Sequence, residues 1–170
     1  YIDGLIKNNK LKHTIDKTID FGFRVGAKKL GEEKILIAGP CSVESKNMIE
    51  DIAAELKKIG VDALRGGAYK PCTYPVRDSV HGWKEGLKVK GLEFLLSAKE
   101  LTGLQIVTEV MDASKIDLVS SHADIFQVGT RNFQNYSLLD ELGKQNKPVL
   151  LKRGTWGTLD EILGACERII

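Results

Sequence analysis

Short apolar runs recur along this chain, three of the five followed at once by glycine or a charged side chain. They are Ile35–Ala38, Val61–Leu64, Gln105–Val110, Asp124–Gly129 and Pro148–Leu151. Runs this short and this apolar suit parallel strands buried on both faces. Between them lie helical patterns. Met48, Ile49, Ile52, Ala53, Leu56 and Ile59 mark one face of a helix over Ser45–Ile59. Gly60 and Gly103 stand where left-handed caps end helices, the second closing Leu92–Leu101. Asp112 can N-cap a helix over Ser114–Ser120, another covers Tyr136–Lys144, and Thr158 with Glu161 forms a capping box before the last. Strict βα alternation predicts a parallel sheet with right-handed crossovers. Such a sheet is either doubly wound and open or part of a (β/α)8 barrel. No GxGxxG follows the first strand, and charged groups at every strand end favour the barrel, which gathers them into one mouth. The expected fold class is therefore α/β, a (β/α)8 TIM barrel to which this chain contributes about five βα units.

Residues 1–20 are polar, lysine-rich and weakly patterned, and read as a lead-in or linker to a domain over 21–170. Phe21–Val25 and Ile35–Ala38 are expected to pair as an N-terminal hairpin capping the bottom of the sheet. Gly66 to Lys90, with Pro71, Pro75, Gly82 and Gly86, is a long connection, and loops longer than about 15 residues in a compact domain are usually functional.

Net charge is +2, so no global field argues for nucleic acid or an anionic membrane, and neither is expected as a partner. No apolar run approaches the roughly 20 residues of a membrane span, and no signal-peptide pattern opens the chain. Cys41, Cys72 and Cys166 are odd in number and lack CxxC spacing, which points to a reducing, cytoplasmic setting.

The chemistry concentrates just past the strand ends. Arg65, Lys70, Arg131, Lys152 and Arg153 should converge if the strands are parallel neighbours, and a guest with two or more anionic groups fits them. A single cation at a strand end is more often a solvated surface charge; five at one edge weaken that reading. Glu109 can pair with one of these cations or relay a proton through water. Cys41 can be a thiolate ligand, a nucleophile or a small buried hydrophobe. Cys166 falls in a helix pattern and suits packing. His13, His81 and His122 have no metal-ligand spacing; His81 lies in the long connection and His122 before a strand start.

Five words then occur in one order: Gly39-Pro40-Cys41-Ser42-Val43-Glu44-Ser45, Leu64-Arg65-Gly66-Gly67-Ala68-Tyr69-Lys70-Pro71, Thr108-Glu109-Val110-Met111-Asp112, Gln127-Val128-Gly129-Thr130-Arg131-Asn132-Phe133-Gln134-Asn135 and Lys147-Pro148-Val149-Leu150-Leu151-Lys152-Arg153-Gly154. Over Phe23 to Ile170 they closely resemble the smaller, microbial 3-deoxy-D-arabino-heptulosonate 7-phosphate (DAHP) synthases. The resemblance implies a (β/α)8 barrel that condenses phosphoenolpyruvate with erythrose 4-phosphate, the first step of the shikimate pathway. It implies a divalent metal, manganese or similar, that holds the aldehyde oxygen, and a homo-oligomer. By motif position, Cys41 would be a metal ligand, and Arg65, Arg131 and Lys152 would hold phosphoenolpyruvate. Lys70 would lie between the two substrates, and Glu109 would position the attacking water.

Two departures stand out. The family's word after the active-site lysine reads Lys-Pro-Arg-Thr, with the arginine on the phosphate of the aldose; here it reads Lys70-Pro71-Cys72-Thr73. A thiol cannot replace a guanidinium, so Thr73 and Arg77, with Lys84 as a weaker candidate, are the groups left to hold that phosphate. The family's remaining metal ligands, a histidine, a glutamate and an aspartate, lie on later strands than this chain contains. Closure takes eight units, so the chain is expected to be a segment of a longer protein with Tyr1 internal, or an incomplete barrel associated with another copy. Competing readings are a 3-deoxy-octulosonate 8-phosphate synthase, whose word carries asparagine where this chain has Pro71, and a non-catalytic descendant that binds phosphorylated ligands.

Overall fold

A computed structural model describes Leu11, Thr14, residues 22–71 and 85–170, and the backbone of residues 77–78 and 82–83. Two strands open it, β1 (Arg24–Val25) and β2 (Lys28–Lys29), paired antiparallel with Arg24 opposite Lys29 and Val25 opposite Lys28. The loop between them is Gly26-Ala27, with Gly26 at φ +60°, the glycine-first pattern of a II′ hairpin turn. The N-terminal hairpin thus exists but closes on Lys28–Lys29, not on Ile35–Ala38 as expected. The two-residue turn fixes the register before the chain reaches Ile35. Ile37–Ala38 instead becomes β3, the first strand of the parallel sheet.

The main sheet runs β3 (Ile37–Ala38), β4 (Ala63–Arg65), β7 (Gln105–Glu109), β8 (Ile125–Val128) and β9 (Val149–Leu151), with every neighbouring pair parallel. Between successive strands pass α1 (Lys46–Lys58), α2 (Val89–Thr102), α3 (Ile116–Ser120, after a 3-10 turn at Ala113–Lys115) and α4 (Tyr136–Gly143), and α5 (Leu159–Ile169) follows β9. The long connection between β4 and α2 carries a small antiparallel ribbon, β5 (Arg77–Asp78) with β6 (Gly82–Trp83). In the main sheet, strand order follows chain order without reversal. A doubly wound sheet needs a reversal to cover both faces. Here the helices stay on one face, which is the winding of a (β/α)8 barrel.

Burial divides the sheet accordingly. Leu64, Ile106, Phe126 and Val128 join residues of the helices, among them Ile49, Ala53, Leu92, Leu95, Leu139 and Leu142, in the large core. Ala63, Val107 and Ile125 point to the opposite face and form a second cluster with Ile35, Ile37 and Val25. Val25 comes from the β1–β2 hairpin, so this hairpin does cover the bottom of the sheet's inner face.

Helix ends follow the sequence signals. Ser45 accepts from the Met48 N–H at 3.2 Å and N-caps α1; Thr158 and Glu161 bond reciprocally at the start of α5. Asp112 caps the 3-10 turn that precedes α3. Below the strands, Asp124 accepts from Ile106 N–H at 2.8 Å and from Lys99 Nζ at 2.6 Å. Lys147 donates to the carbonyls of Ser120 and Ala123, the latter at 2.7 Å. His122 bonds the Leu118 carbonyl through Nδ1 and serves the end of α3. The N–H and hydroxyl of Thr14 donate to Glu167 Oε2 at 2.7 and 2.6 Å, fixing that residue on α5.

Phe126 is fully buried between sheet and helices. Phe126→Ala should cost about 3–5 kcal/mol of unfolding free energy, whereas Thr158→Ala, which removes one capping box, should cost about 1 kcal/mol. Urea denaturation followed by circular dichroism measures both.

Candidate functional site at the strand ends

Side chains alternate along a strand, so residues two positions above the inner cluster share its face. Arg65 follows Ala63, Glu109 follows Val107, and Gln127 follows Ile125. At the carboxyl ends of three adjacent strands these groups meet. Arg65 Nε donates to Gln127 Oε1 at 3.2 Å, and Gln127 Nε2 donates to Glu109 Oε2 at 3.2 Å. Arg65 Nη1 donates to the Pro40 carbonyl at 3.0 Å, tying the strand end of β4 to that of β3. Glu109 and Gln127 are 3% and 2% exposed. A cation, a neutral amide and a carboxylate are thus strung across the mouth, with the amide between the charges.

Two glycines permit this packing. A Cβ at Gly129 would lie 2.1 Å from Glu109 Oε1, so the carboxylate rests on bare backbone there. Gly39, at φ +147°, passes so close to β4 that a Cβ would fall 1.9 Å from the Arg65 carbonyl oxygen.

The Gly66–Lys70 turn brings the other charged pair together. Lys70 Nζ donates to Cys41 Sγ at 3.2 Å. That hydrogen bond, with the charges of Lys70 and Arg65, outweighs partial desolvation and holds the Cys41 thiol below its usual pKa. Cys41 is exposed, while burial in α5 pushes the Cys166 thiol up.

Arg131 lies in the 3-10 turn Thr130–Asn132 directly after β8 and is exposed. Asn132 Nδ2 anchors that turn by donating to the Met111 carbonyl at 2.8 Å. Lys152 is exposed just past β9, and its N–H donates to the Val128 carbonyl at 3.0 Å. Leu150 is the register partner of Gln127, so alternation carries Lys152 to the face of Gln127. Arg153 departs from the expected cluster: its Nη2 donates to the Gly157 carbonyl at 2.7 Å and serves its own loop. Cys72, Thr73, His13, His81 and Lys84 fall outside the described residues, as does the side chain of Arg77.

The residues that sequence reasoning missed are Gln127 and Gly129. A glutamine inside the apolar run Ile125-Phe126-Gln127-Val128 was the available signal, since a polar side chain on a buried strand needs partners.

A parallel βα sheet with cations and a buried carboxylate at its carboxyl edge has the winding and the strand-end layer of a (β/α)8 barrel protein. The match to known proteins is specific: the DAHP synthetase I family model covers residues 14–170, and the chain belongs to that family. The chain is 44% identical over 158 residues to a phospho-2-dehydro-3-deoxyheptonate aldolase of Thermotoga maritima, covering 92% of this chain and 44% of that protein. A solved structure of that Thermotoga maritima enzyme superimposes with a TM-score of 0.76 at 43% identity, over 86% of this chain and 41% of the other. A 2-dehydro-3-deoxyphosphooctonate aldolase of Cupriavidus taiwanensis is more distant, 29% identical over 168 residues, 86% of this chain and 57% of that protein. The chain therefore spans less than half the length of the Thermotoga relative, and its strands are five consecutive βα units of a (β/α)8 barrel.

At neutral pH, Cys41 should be alkylated by iodoacetamide faster than Cys166, with an inflection of rate against pH below that of a free thiol. Lys70→Met should slow Cys41 alkylation and move the inflection upward; peptide mass spectrometry across a pH series reads both. Gly129→Ala should displace Glu109 and cost about 1–3 kcal/mol of stability, measured by urea denaturation.

Proposed function

We propose that this chain supplies the donor-binding part of a 3-deoxy-7-phosphoheptulonate synthase barrel, condensing phosphoenolpyruvate with erythrose 4-phosphate. The observation that carries the reading is the Arg65–Gln127–Glu109 array beside Lys70, with Lys152 on the same face. Carbon count supports the acceptor: a seven-carbon product less the three carbons of phosphoenolpyruvate leaves a four-carbon aldose. The identity to the heptonate relative, 44%, against 29% for the octonate one, favours it over a five-carbon aldose.

In this reading Arg65, Arg131 and Lys152 hold the carboxylate and phosphate of phosphoenolpyruvate, each charge-assisted contact fixing the enol plane. Lys70 sits between donor and acceptor and stabilises negative charge as the new carbon–carbon bond forms. Glu109 accepts a proton from the water that adds to the phosphate-bearing carbon, after which inorganic phosphate leaves. Thr73 and Arg77 take the phosphate of the aldose in place of the arginine that Cys72 displaces.

A divalent metal would polarise the aldehyde carbonyl in such an enzyme. Cys41, an accessible thiol held below its ordinary pKa, suits one ligand position. Among the described residues, however, no group of three or more histidine, cysteine, aspartate or glutamate side chains gathers to complete a site. These residues alone do not fit a catalytic metal. The same reading takes residues 21–170 as a partial barrel domain and 1–20 as its lead-in. It expects a cytoplasmic homo-oligomer without nucleic-acid or membrane partners. Supporting it are the small net charge, the lack of any helix among the described residues long and apolar enough to cross a membrane, and the outer strands β3 and β9, each paired on one side only among those residues.

Isothermal titration of the chain with phosphoenolpyruvate should give saturable binding, and Arg131→Ala should weaken it by about tenfold or more, the loss expected for a charge-assisted contact. Phosphate release with erythrose 4-phosphate and manganese should be absent for the 170-residue chain. Unchanged affinity in the variant would remove Arg131 from the donor site, and robust metal-dependent turnover would require a full ligand set within this sequence.

A further inference from the structure

The Lys70–Cys41 contact depends on a turn whose fastenings are almost all backbone. Gly67 carbonyl accepts from Val43 N–H at 3.0 Å, Ala68 carbonyl from Lys88 N–H at 2.9 Å, and Lys70 N–H donates to Glu85 carbonyl at 2.9 Å. The turn is also crowded: a Cβ at Gly67 would lie 2.6 Å from the Cys41 carbonyl oxygen and 2.5 Å from Lys70 Cδ, and one at Gly86 would lie 2.3 Å from the Ala68 carbonyl oxygen. Among the described residues, one side-chain hydroxyl reaches this turn's backbone from outside. Thr108, 1% exposed, donates its hydroxyl to the Gly66 carbonyl at 2.6 Å and accepts from Ala68 N–H at 3.4 Å. A single buried hydroxyl thus spans both sides of Gly67, the residue on which the Lys70 stem and the Cys41 backbone both rest.

We infer that Thr108 is a positioning residue: its hydroxyl locks the Gly66–Ala68 backbone to β7 and thereby holds the Lys70 ammonium against the Cys41 thiol. Thr108 touches neither group. Its neighbour in sequence, Glu109, faces the mouth, so β7 carries one residue that meets the guest and one that aligns the opposing lysine. A threonine at this position does more than pack against the helices. An isosteric valine fills the same volume, but it leaves the Ala68 N–H and the Gly66 carbonyl without their partner, and the turn is then free to shift. The consequence for catalysis rests on the condensation proposed above; the placement of Lys70 does not.

The test uses the ability of o-phthalaldehyde to join a lysine amine and an adjacent thiol into a fluorescent isoindole. It is run on the metal-free protein in chelator, without added thiol, and the product is mapped by peptide mass spectrometry. The unmodified protein should form an isoindole between Lys70 and Cys41, and Cys41→Ser should abolish it. Thr108→Ser, which keeps the hydroxyl, should react at the parent rate. Thr108→Val should lose about fivefold or more in rate, the population change that about 1 kcal/mol of lost hydrogen bonding produces, while its thermal melt remains cooperative. Should Thr108→Val fail to fold, Thr108→Ala is assayed in its place with the same expectation. A valine or alanine variant reacting at the parent rate, equal losses in serine and valine variants, or no Lys70–Cys41 product in the parent would each overturn the inference. Titrating the same samples with phosphoenolpyruvate separates the two proposals. Absence of binding alongside the expected isoindole pattern removes the condensation reading and leaves the positioning role standing.

Discussion

A carboxylate buried to 3% exposure has to be compensated, because an unpaired charge removed from water is costly. At the mouth of this sheet Glu109 accepts from the neutral amide of Gln127, and the Arg65 guanidinium bonds that amide's oxygen. The amide passes polarity from cation to anion while keeping them from collapsing into a direct ion pair. Neither charge is used up on the other. Arg65 gives Nε to Gln127 and Nη1 to Pro40, and its guanidinium also hydrogen-bonds the Cys41 thiol.

Everything else in the fold serves to hold that string of groups in line. The β3–β4 junction is closed by Arg65 on the Pro40 carbonyl and by the backbone approach at Gly39. The β7–β8 junction is closed by Gln127 on Glu109, with Gly129 clearing space for the second carboxylate oxygen. The turn after β8 is fastened to the end of β7 through Asn132. Phe133 fills the space beneath Gly154 and Gly157, where a Cβ would come within 2.2 and 2.4 Å of its ring, and Trp156 lies tilted over it at 6.0 Å between centroids. Arg65, Glu109 and Gln127 thus stand on a well-packed platform of strands.

Much of this was legible from residue order. Apolar runs and helical spacing located the five parallel strands and their helices, because each element obeys its own period and is punctuated by caps such as Ser45, Gly103 and Thr158. The hairpin partner was not legible. Ile35–Ala38 has strand character, but pairing is decided by the tight Gly26-Ala27 turn, a local geometric preference that hydrophobicity does not report. Within the site, charged residues announced themselves and neutral ones did not. Gln127 and Thr108 bond groups on other strands or in the turn just past β4, and those partners are 18 to 62 residues away in sequence. Arg153 carried the same signal as Lys152 yet folds back on Gly157, since the residue after an inward position points elsewhere.

The stacking of Arg65, Glu109 and Gln127 exactly two residues beyond Ala63, Val107 and Ile125 has a consequence for how such a chain can vary. Insertion or deletion of one residue within β4, β7 or β8 would rotate the polar member toward the helices and bring an apolar one to the mouth. Chemistry and core would be lost in the same stroke. Length changes are therefore confined to the connections, where they leave the parity of each strand intact, and the site inherits the strands' intolerance of slippage as a guarantee of its own composition.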